Sequence, residues 1–252
     1  MRHWTHIWNL RVTHPREEIL LYKDDINAAF HRGRYHPDVS CAYSYVWSDW
    51  LVIHTGLIFG GRNSPGWFCL LSELRAAIAM YYDGIDEYPR HPLVKRIIFP
   101  SAPDDSVAAT FSPAEADGIN PGTDPSLSGP THHATFVDDN LMAEIVSRAV
   151  DSVQRSTGSC YLLFGHPAPI IRTPSLSEDK FVQMAAWIME HLGLIIDTRR
   201  MVIVFPAAKR AELLRLIDAD KKFGARLSIS TSAVVLGHLR TAAVIQPLGS
   251  YF

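Results

Sequence analysis

Residues 134–141, Ala134-Thr135-Phe136-Val137-Asp138-Asp139-Asn140-Leu141, set two adjacent carboxylates into an otherwise apolar run. Successive side chains on a strand point to opposite faces, so Asp138 and Asp139 cannot both reach water if Phe136 and Val137 belong to a packed sheet. A tight turn between two strands removes the conflict, and Asp-Asp and Asp-Asn are ordinary turn residues. The turn also crowds two like charges, which raise each other's proton affinity unless a cation lies beside them. The stretch therefore reads as strand, turn and strand, with either a solvated turn or a metal site at its tip.

Composition bounds the setting of that hairpin. The chain has 252 residues, 47% hydrophobic and 20% charged, which is ample for a buried core in one large domain or two small ones. Its cysteines, Cys41, Cys69 and Cys160, are far apart with no CxxC pair, so neither a disulfide framework nor a thiolate zinc site is implied, and a reducing compartment is the natural reading. The start, MRHWTHIWNLRV, has no apolar core flanked by a cleavage site, and no run of about 18 apolar residues occurs. The chain is expected to be soluble and intracellular, cytoplasmic or nuclear, with no membrane partner. A net charge of -2 does not advertise a nucleic-acid binder. The distribution is less even than the sum. Residues 81–140 hold ten Asp/Glu against three Lys/Arg, whereas residues 191–240 hold nine Lys/Arg against four Asp/Glu, so the acidic half contains the Asp pair and the basic one could face phosphates.

Working outward from the hairpin, a helix is expected from about Ala143 to Arg155 and a strand over 161–165 (YLLFG). Before it, residues 101–133 contain five prolines and no Lys or Arg, which implies a flexible surface insertion. Ile19-Leu20-Leu21-Tyr22 reads as a strand ending at Asp24-Asp25. Two β-rich runs separated by Ser48-Asp49 read as a hairpin within about 41–60. Residues 60–66 are a loop, and Ser64 and Pro65 open a helix, as cap and first position. Ser175 with Glu178 forms a capping box for a helix carrying Phe181, Met184, Ala185, Ile188 and Leu192, which Gly193 is suited to stop. A strand over 201–205, a helix begun by Pro206 and a last strand over 232–237 (SAVVLG) follow. Strands and helices interleave with hairpins among them, which gives an α+β fold: an antiparallel sheet with helices packed on one face.

Asp24-Asp25 ends the first strand and Asp138-Asp139 sits in the hairpin, so carboxylates from two strand edges could reach one cleft. Three such oxygen donors suit Mg²⁺, which keeps several waters and is held by a few carboxylates plus substrate phosphates. Two ions so held could serve nucleotidyl transfer.

At these residues the chain resembles a known family. Asp25-Ile26-Asn27-Ala28-Ala29-Phe30 resembles the first catalytic motif of reverse transcriptases, an Asp followed by Ala and an aromatic at a fixed distance. Gly56-Leu57-Ile58-Phe59-Gly60 through Ser64-Pro65-Gly66-Trp67-Phe68 is similar to the second, and Phe136-Val137-Asp138-Asp139 to the third, the aromatic-x-Asp-Asp box. Gly193-Leu194 with Arg199-Arg200 resembles the fourth motif and Val235-Leu236-Gly237-His238 the fifth. The order matches the family over roughly residues 17–240, leaving 241–252 as a tail. Ile58 stands where the family often has proline, and Arg200 where it usually has lysine.

The resemblance implies the palm of an RNA-directed DNA polymerase from a retrotransposon, with partial fingers. Asp25 and Asp138 would be the principal metal ligands, with Asp139 beside them and the backbone carbonyl of Ile26 assisting, around two Mg²⁺ ions or Mn²⁺ in their place. Phe30 would lie under the incoming sugar and favour deoxynucleotides; Phe59, Ser64 and Pro65 would shape the template and nucleotide pocket. Arg199, Arg200, Lys209 and Arg210 would track phosphates, and Leu236-Gly237 would form part of a primer-gripping hairpin. Partners implied are an RNA or DNA template with its primer, deoxynucleoside triphosphates and flanking polyprotein domains. Only about two dozen residues precede Asp25, so a second reading stands beside the first: an inactive retroelement remnant that binds at most nucleic acid or protein. A third is a metal-dependent phosphodiesterase using the same acids. Gly-Arg-Asn-Ser-Pro-Gly lacks GxSxG spacing, which disfavours a Ser/His/Asp hydrolase.

Overall fold

The structure is a computed structural model that describes residues 2–58, 61–83, 85, 87–100, 133–136, 139–165, 175–177, 185–223 and 228–245. The chain divides into two compact units, residues 1–186 and 187–252. The expected insertion falls, apart from His133, outside the described residues.

The first unit is built on β1 (Ile19–Asp25), β4 (His133–Phe136) and β5 (Asp139–Ile145), an antiparallel sheet in the order β1-β5-β4. Ile19, Leu20, Leu21 and Tyr22 are all buried, so β1 loses apolar surface on both faces, which explains its unbroken apolar run. Its outer edge is closed by backbone bonds. Leu21 exchanges N–H and carbonyl bonds with Ala186, at 2.8 and 2.9 Å, while Asn27 donates to the carbonyl of Ser175 and Ser177 to that of Asp25, each at 2.9 Å. β5 pairs with β1 from Ile19↔Ile145 to Asp25↔Asp139, and with β4 from His133↔Met142 to Phe136↔Asp139. The two strands expected within residues 134–141 are therefore present and pair antiparallel. Val137 and Asp138, between the strands, lie outside the described residues.

α4 (Ser64–Tyr81) and α5 (Val146–Phe164) pack on one another and on this sheet. In α4 the buried residues Ser64, Phe68, Ser72, Arg75 and Ala79 recur every three or four positions, the period of one helix face. Pro65 stands in the first turn, where its missing N–H forfeits no bond. Ser64 is not the cap: Asn63 flanks the helix, and the buried Ser64 Oγ has no hydrogen-bond partner among the described residues. α1 (Arg2–Thr13), which the sequence reading left unassigned, also packs against the sheet, with His6 Nε2 3.2 Å from the carbonyl oxygen of Ala143. Two short helices, α2 (Ala29–Arg32) and α3 (Pro37–Ser40), lead into a hairpin of β2 (Ser44–Trp47) and β3 (Trp50–Ile53). Its register, Ser44↔Ile53 to Trp47↔Trp50, leaves Ser48-Asp49 as the expected two-residue turn. These antiparallel sheets with packed helices are the α+β architecture that the sequence implied.

α5 runs past both elements expected there. Residues 161–164 are its last turn rather than a strand. Ser156-Thr157-Gly158-Ser159 looks like a break because these residues compete with helical hydrogen bonding. Here the hydroxyls bond back to the helix itself, Thr157 Oγ1 to the carbonyl of Val153 at 2.9 Å and Ser159 Oγ to that of Ser156 at 2.7 Å, and their small size lets neighbouring chain approach closely. Cys160 follows them in the core, and burial pushes its thiol up to about 11 from an ordinary value of about 9. A raised thiol favours the folded state only while protonated. Its contribution is complete below about pH 9 and is lost as pH rises towards 11. The urea midpoint is expected to fall between pH 9 and 11, and Cys160→Ala to flatten that fall. An equal slope in both proteins contradicts the assignment.

The second unit holds an antiparallel sheet of β6 (Ile188–His191), β7 (Leu194–Asp197) and β8 (Val202–Val204), followed by α6 (Ala207–Phe223) and α7 (Ile229–Ile245). The strand expected over 201–205 and the helix after Pro206 are present. Two expectations fail. Ile188–His191 is a strand, not the end of a helix: Leu192 and Gly193 adopt φ of 48° and 82°, the doubly left-handed conformation that closes a two-residue hairpin between His191 and Leu194. Ala185 is not helical either, standing next to the bridge of Ala186 with Leu21, and the part of that expected helix with Glu178, Phe181 and Met184 lies outside the described residues. Residues 232–237 are helical as well. Ser228 Oγ accepts from the Thr231 N–H at 3.1 Å, a side-chain cap that starts α7, and Val234-Val235 follow it into the helix despite their preference for strands.

Candidate functional site

The β1–β5 ladder ends on Asp25 opposite Asp139. Directly opposed residues of an antiparallel pair share a face, so these two side chains emerge on the same side of the sheet. Asp25 is buried and Asp139 half-buried. One step back, Asp24 opposes Asn140 and points to the other side, where α4 and α5 lie. There Arg75 holds it with two bonds, Nη1 to Oδ1 at 2.6 Å and Nη2 to Oδ2 at 2.5 Å. Arg75 Nη2 also reaches the carbonyl and hydroxyl oxygens of Ser156, at 3.2 and 3.1 Å, and Asn140 Nδ2 lies 3.4 Å from Asp24 Oδ2. The acidic pair at 24–25 is therefore split by strand alternation. Asp24 is a structural ion, and Asp25 is left for the other face.

That face also carries a cation. Lys23 Nζ lies 3.3 Å from Asp139 Oδ1, from a position two residues before Asp25 on the same side of β1. Asp25 and Asp139 supply hard carboxylate oxygens of the kind Mg²⁺ takes, and an ammonium already occupies part of the field they create. Among the described residues no group of three or more His, Cys, Asp or Glu could hold a metal ion. A third carboxylate would have to come from Asp138, which lies outside them.

The other implied residues fall as follows. Ile26 is buried at an isolated bridge to Leu176, and the two hydrogen bonds flanking that bridge use the Asp25 carbonyl and the Asn27 N–H, not the Ile26 carbonyl. Ala28 adopts φ 51° and ψ 44°, a left-handed conformation that side-chain-bearing residues seldom take, and so redirects the chain between Asp25 and Phe30. Phe30 packs on the core, its ring 5.7 Å from that of Phe68 in an edge-to-face arrangement. Ser64 and Pro65 open α4, and Phe59 lies outside the described residues.

The implied phosphate contacts all belong to the second unit. Asp197 Oδ1 accepts from the backbone N–H groups of Arg199 and Arg200, each at 3.0 Å, which fixes the turn after β7. The Arg199 guanidinium lies 3.6 Å from the centroid of the Trp187 ring, a cation–π contact. Arg200 is exposed, Lys209 pairs with Glu190 at 2.6 Å, and Arg210 is exposed in the first turn of α6. Leu236 and Gly237 stand in α7, so the strand end of a primer-gripping hairpin is replaced there by a helix.

Sequence reading missed Lys23 and Arg75. Arg75 was detectable as a lone charge on the buried stripe of α4, while Lys23 reads as an ordinary surface residue until the register with Asp139 is known.

No family model and no curated protein matches the sequence. Among solved structures the chain is similar to a foamy viral protease-reverse transcriptase dRH in complex with double-stranded DNA, at 14% identity and a TM-score of 0.44, over 90% of this chain and 28% of that one. It is similar also to the foamy viral protease-reverse transcriptase in complex with double-stranded DNA, at 12% identity and a TM-score of 0.43, over 92% of this chain and 35% of that one. The chain thus spans about a third or less of the length of these neighbours, and at such scores the likeness assigns no residue a role. Among the described residues no helix is long and apolar enough to cross a membrane.

Proposed function

We propose that the chain is the palm portion of an RNA-directed DNA polymerase of retrotransposon origin, acting with a primed RNA or DNA template and deoxynucleoside triphosphates. The observation that carries this reading is the register of β1 with β5, which opposes Asp25 to Asp139, the sequence neighbour of Asp138, at the ladder's end. Asp25 and Asp138 are the principal ligands for divalent cations, Asp139 supports them, and the Ile26 carbonyl assists. Held there, two Mg²⁺ ions, or Mn²⁺, would supply charge neutralisation at the phosphates and activation of the primer 3′-hydroxyl. Phe30 limits space at the sugar, and Phe59, Ser64 and Pro65 border the nucleotide. Arg199, Arg200, Lys209 and Arg210 contribute positive charge towards the nucleic-acid backbone.

The Lys23–Asp139 contact favours a second reading, an inactive remnant in which an internal ammonium substitutes for the metal. Primer extension separates the two. On a primed RNA template with Mg²⁺, wild-type protein should incorporate deoxynucleotides, and Asp25→Asn or Asp138→Asn should each lower the rate more than about 100-fold, because several kcal/mol of transition-state stabilisation is removed. Thermal melting of the variants checks that the fold survives. Extension at the wild-type rate by either variant would refute the assignment; no incorporation by folded wild-type protein supports the remnant. Cleavage of the template without incorporation would identify a phosphodiesterase.

A further inference from the structure

The β2–β3 hairpin presents two unlike faces. Strand alternation and its register put Tyr45, Trp47, Trp50, Val52 and His54 on one side and Val46, Leu51 and Ile53 on the other. Both sides are exposed, Val46 at 72% and Leu51 at 62% on the second, but only the first carries aromatic rings, with Tyr45 52% exposed, Trp47 70% and Trp50 72%. The ladder continues inward, with the Tyr45 and His54 rings 5.6 Å apart. His54 in turn lines a cavity of about 440 Å³ at the hairpin's base, together with His31, Arg32 and Arg34. Among the described residues no carboxylate lines it. Arg32 Nε donates to the Asn27 carbonyl at 3.1 Å, and Arg34 Nη1 to Thr55 Oγ1 at 2.7 Å.

We propose that this surface binds single-stranded nucleic acid, the bases stacking along Trp50, Trp47 and Tyr45 while a backbone phosphate enters the cavity of His31, Arg32, Arg34 and His54. Exposed π-faces leading into a cationic recess are the two components that sequence-tolerant single-strand binding combines. An anionic lipid surface could use the same chemistry, but the hairpin would enter it tip first, and the tip carries the carboxylate of Asp49. The site uses neither Asp25, Asp138 nor Asp139, and it stands whether or not the chain incorporates nucleotides.

Fluorescence anisotropy of a labelled 15-nucleotide oligo(dT), titrated with the full chain in EDTA without divalent cations, tests the proposal apart from any polymerase activity. Wild-type protein should bind it with quenching of tryptophan emission and bind a duplex of equal length more weakly. Trp47→Ala with Trp50→Ala should weaken binding about 10-fold or more, and Arg34→Gln should lower the slope of log affinity against log salt by about 0.7. All three residues are exposed, so the variants should keep the wild-type circular dichroism and melting temperature. No binding by wild-type protein overturns the proposal, as does unchanged affinity in the double variant. Tryptophan-dependent sedimentation with phosphatidylserine vesicles, with no oligonucleotide binding, overturns it in favour of a membrane surface.

Discussion

Arg75→Met is expected to cost the first unit about 3–5 kcal/mol, the range for breaking a buried ion pair by removing one partner. Arg75 and Asp24 are each about 1% exposed, so the surviving Asp24 carboxylate would remain in a dry site, with Asn140 Nδ2 3.4 Å away and no guanidinium to neutralise it. Burial by itself lowers the proton affinity of Arg75, but the adjoining Asp24 charge and hydrogen bonds outweigh it and leave the guanidinium above its ordinary value. The guanidinium thus keeps its charge throughout the working pH range. Asp24→Asn should cost less, because the amide oxygen still accepts one guanidinium bond and no bare carboxylate is left behind. The double variant Arg75→Met with Asp24→Leu should recover most of the loss, since apolar replacements of a whole buried pair are often neutral or stabilising. Urea unfolding of the wild type, Arg75→Met, Asp24→Leu and their double variant measures the coupling. A loss below about 1 kcal/mol for Arg75→Met would mean that water or another cation reaches Asp24, and the pair would no longer explain how β1 is held against α4 and α5.

Much of this arrangement could be read from the sequence because it depends on local pattern. The apolar run ending at Asp24-Asp25, the hairpin about Ser48-Asp49, the strands β4 and β5, and the helix opened by Ser64-Pro65 all carry their own local pattern. Misreadings arose where local preference and tertiary packing disagree. The serines and glycine of α5 look like a break until their hydroxyls are seen bonding back to the helix, and the valines of α7 look like strand until Ser228 is seen to cap it. Leu192-Gly193 reads as a helix end because a left-handed glycine also terminates helices; only strand pairing shows that it closes a hairpin. The candidate site was half legible. That Asp25 and Asp139 share a face follows from register, which depends on contacts more than 100 residues apart in the chain, as does the placement of Lys23 beside Asp139.

Close approach of another backbone segment makes the glycine of α5 costly to replace. Alanine in place of glycine inside a helix normally gains about 1 kcal/mol. Gly158→Ala is expected to do the opposite and lose about 1–3 kcal/mol, the usual cost of overpacking, with Gly158→Val losing more. A Cβ built at Gly158 stands 2.0 Å from the carbonyl oxygen of Pro89, and 3.2 Å from its carbonyl carbon. Backbone atoms cannot rotate out of the way as a side-chain tip can, so either the segment at 88–89 or the helix must move. The segment is anchored: the Tyr88 hydroxyl lies 2.8 Å from Asp151 Oδ1 and 3.0 Å from Gln154 Oε1, both on α5 one to two turns before Gly158. If anchoring sets the cost, Tyr88→Phe should release the segment and make Gly158→Ala less harmful, so that the double variant is more stable than the sum of the single losses predicts. Two positions before Gly158, Ser156 bonds to Arg75, so a shifted helix should also reduce the measured coupling between Arg75 and Asp24. Stabilisation by Gly158→Ala in thermal melts would show that this close approach is absent, and the segment at 88–89 would then have to leave α5.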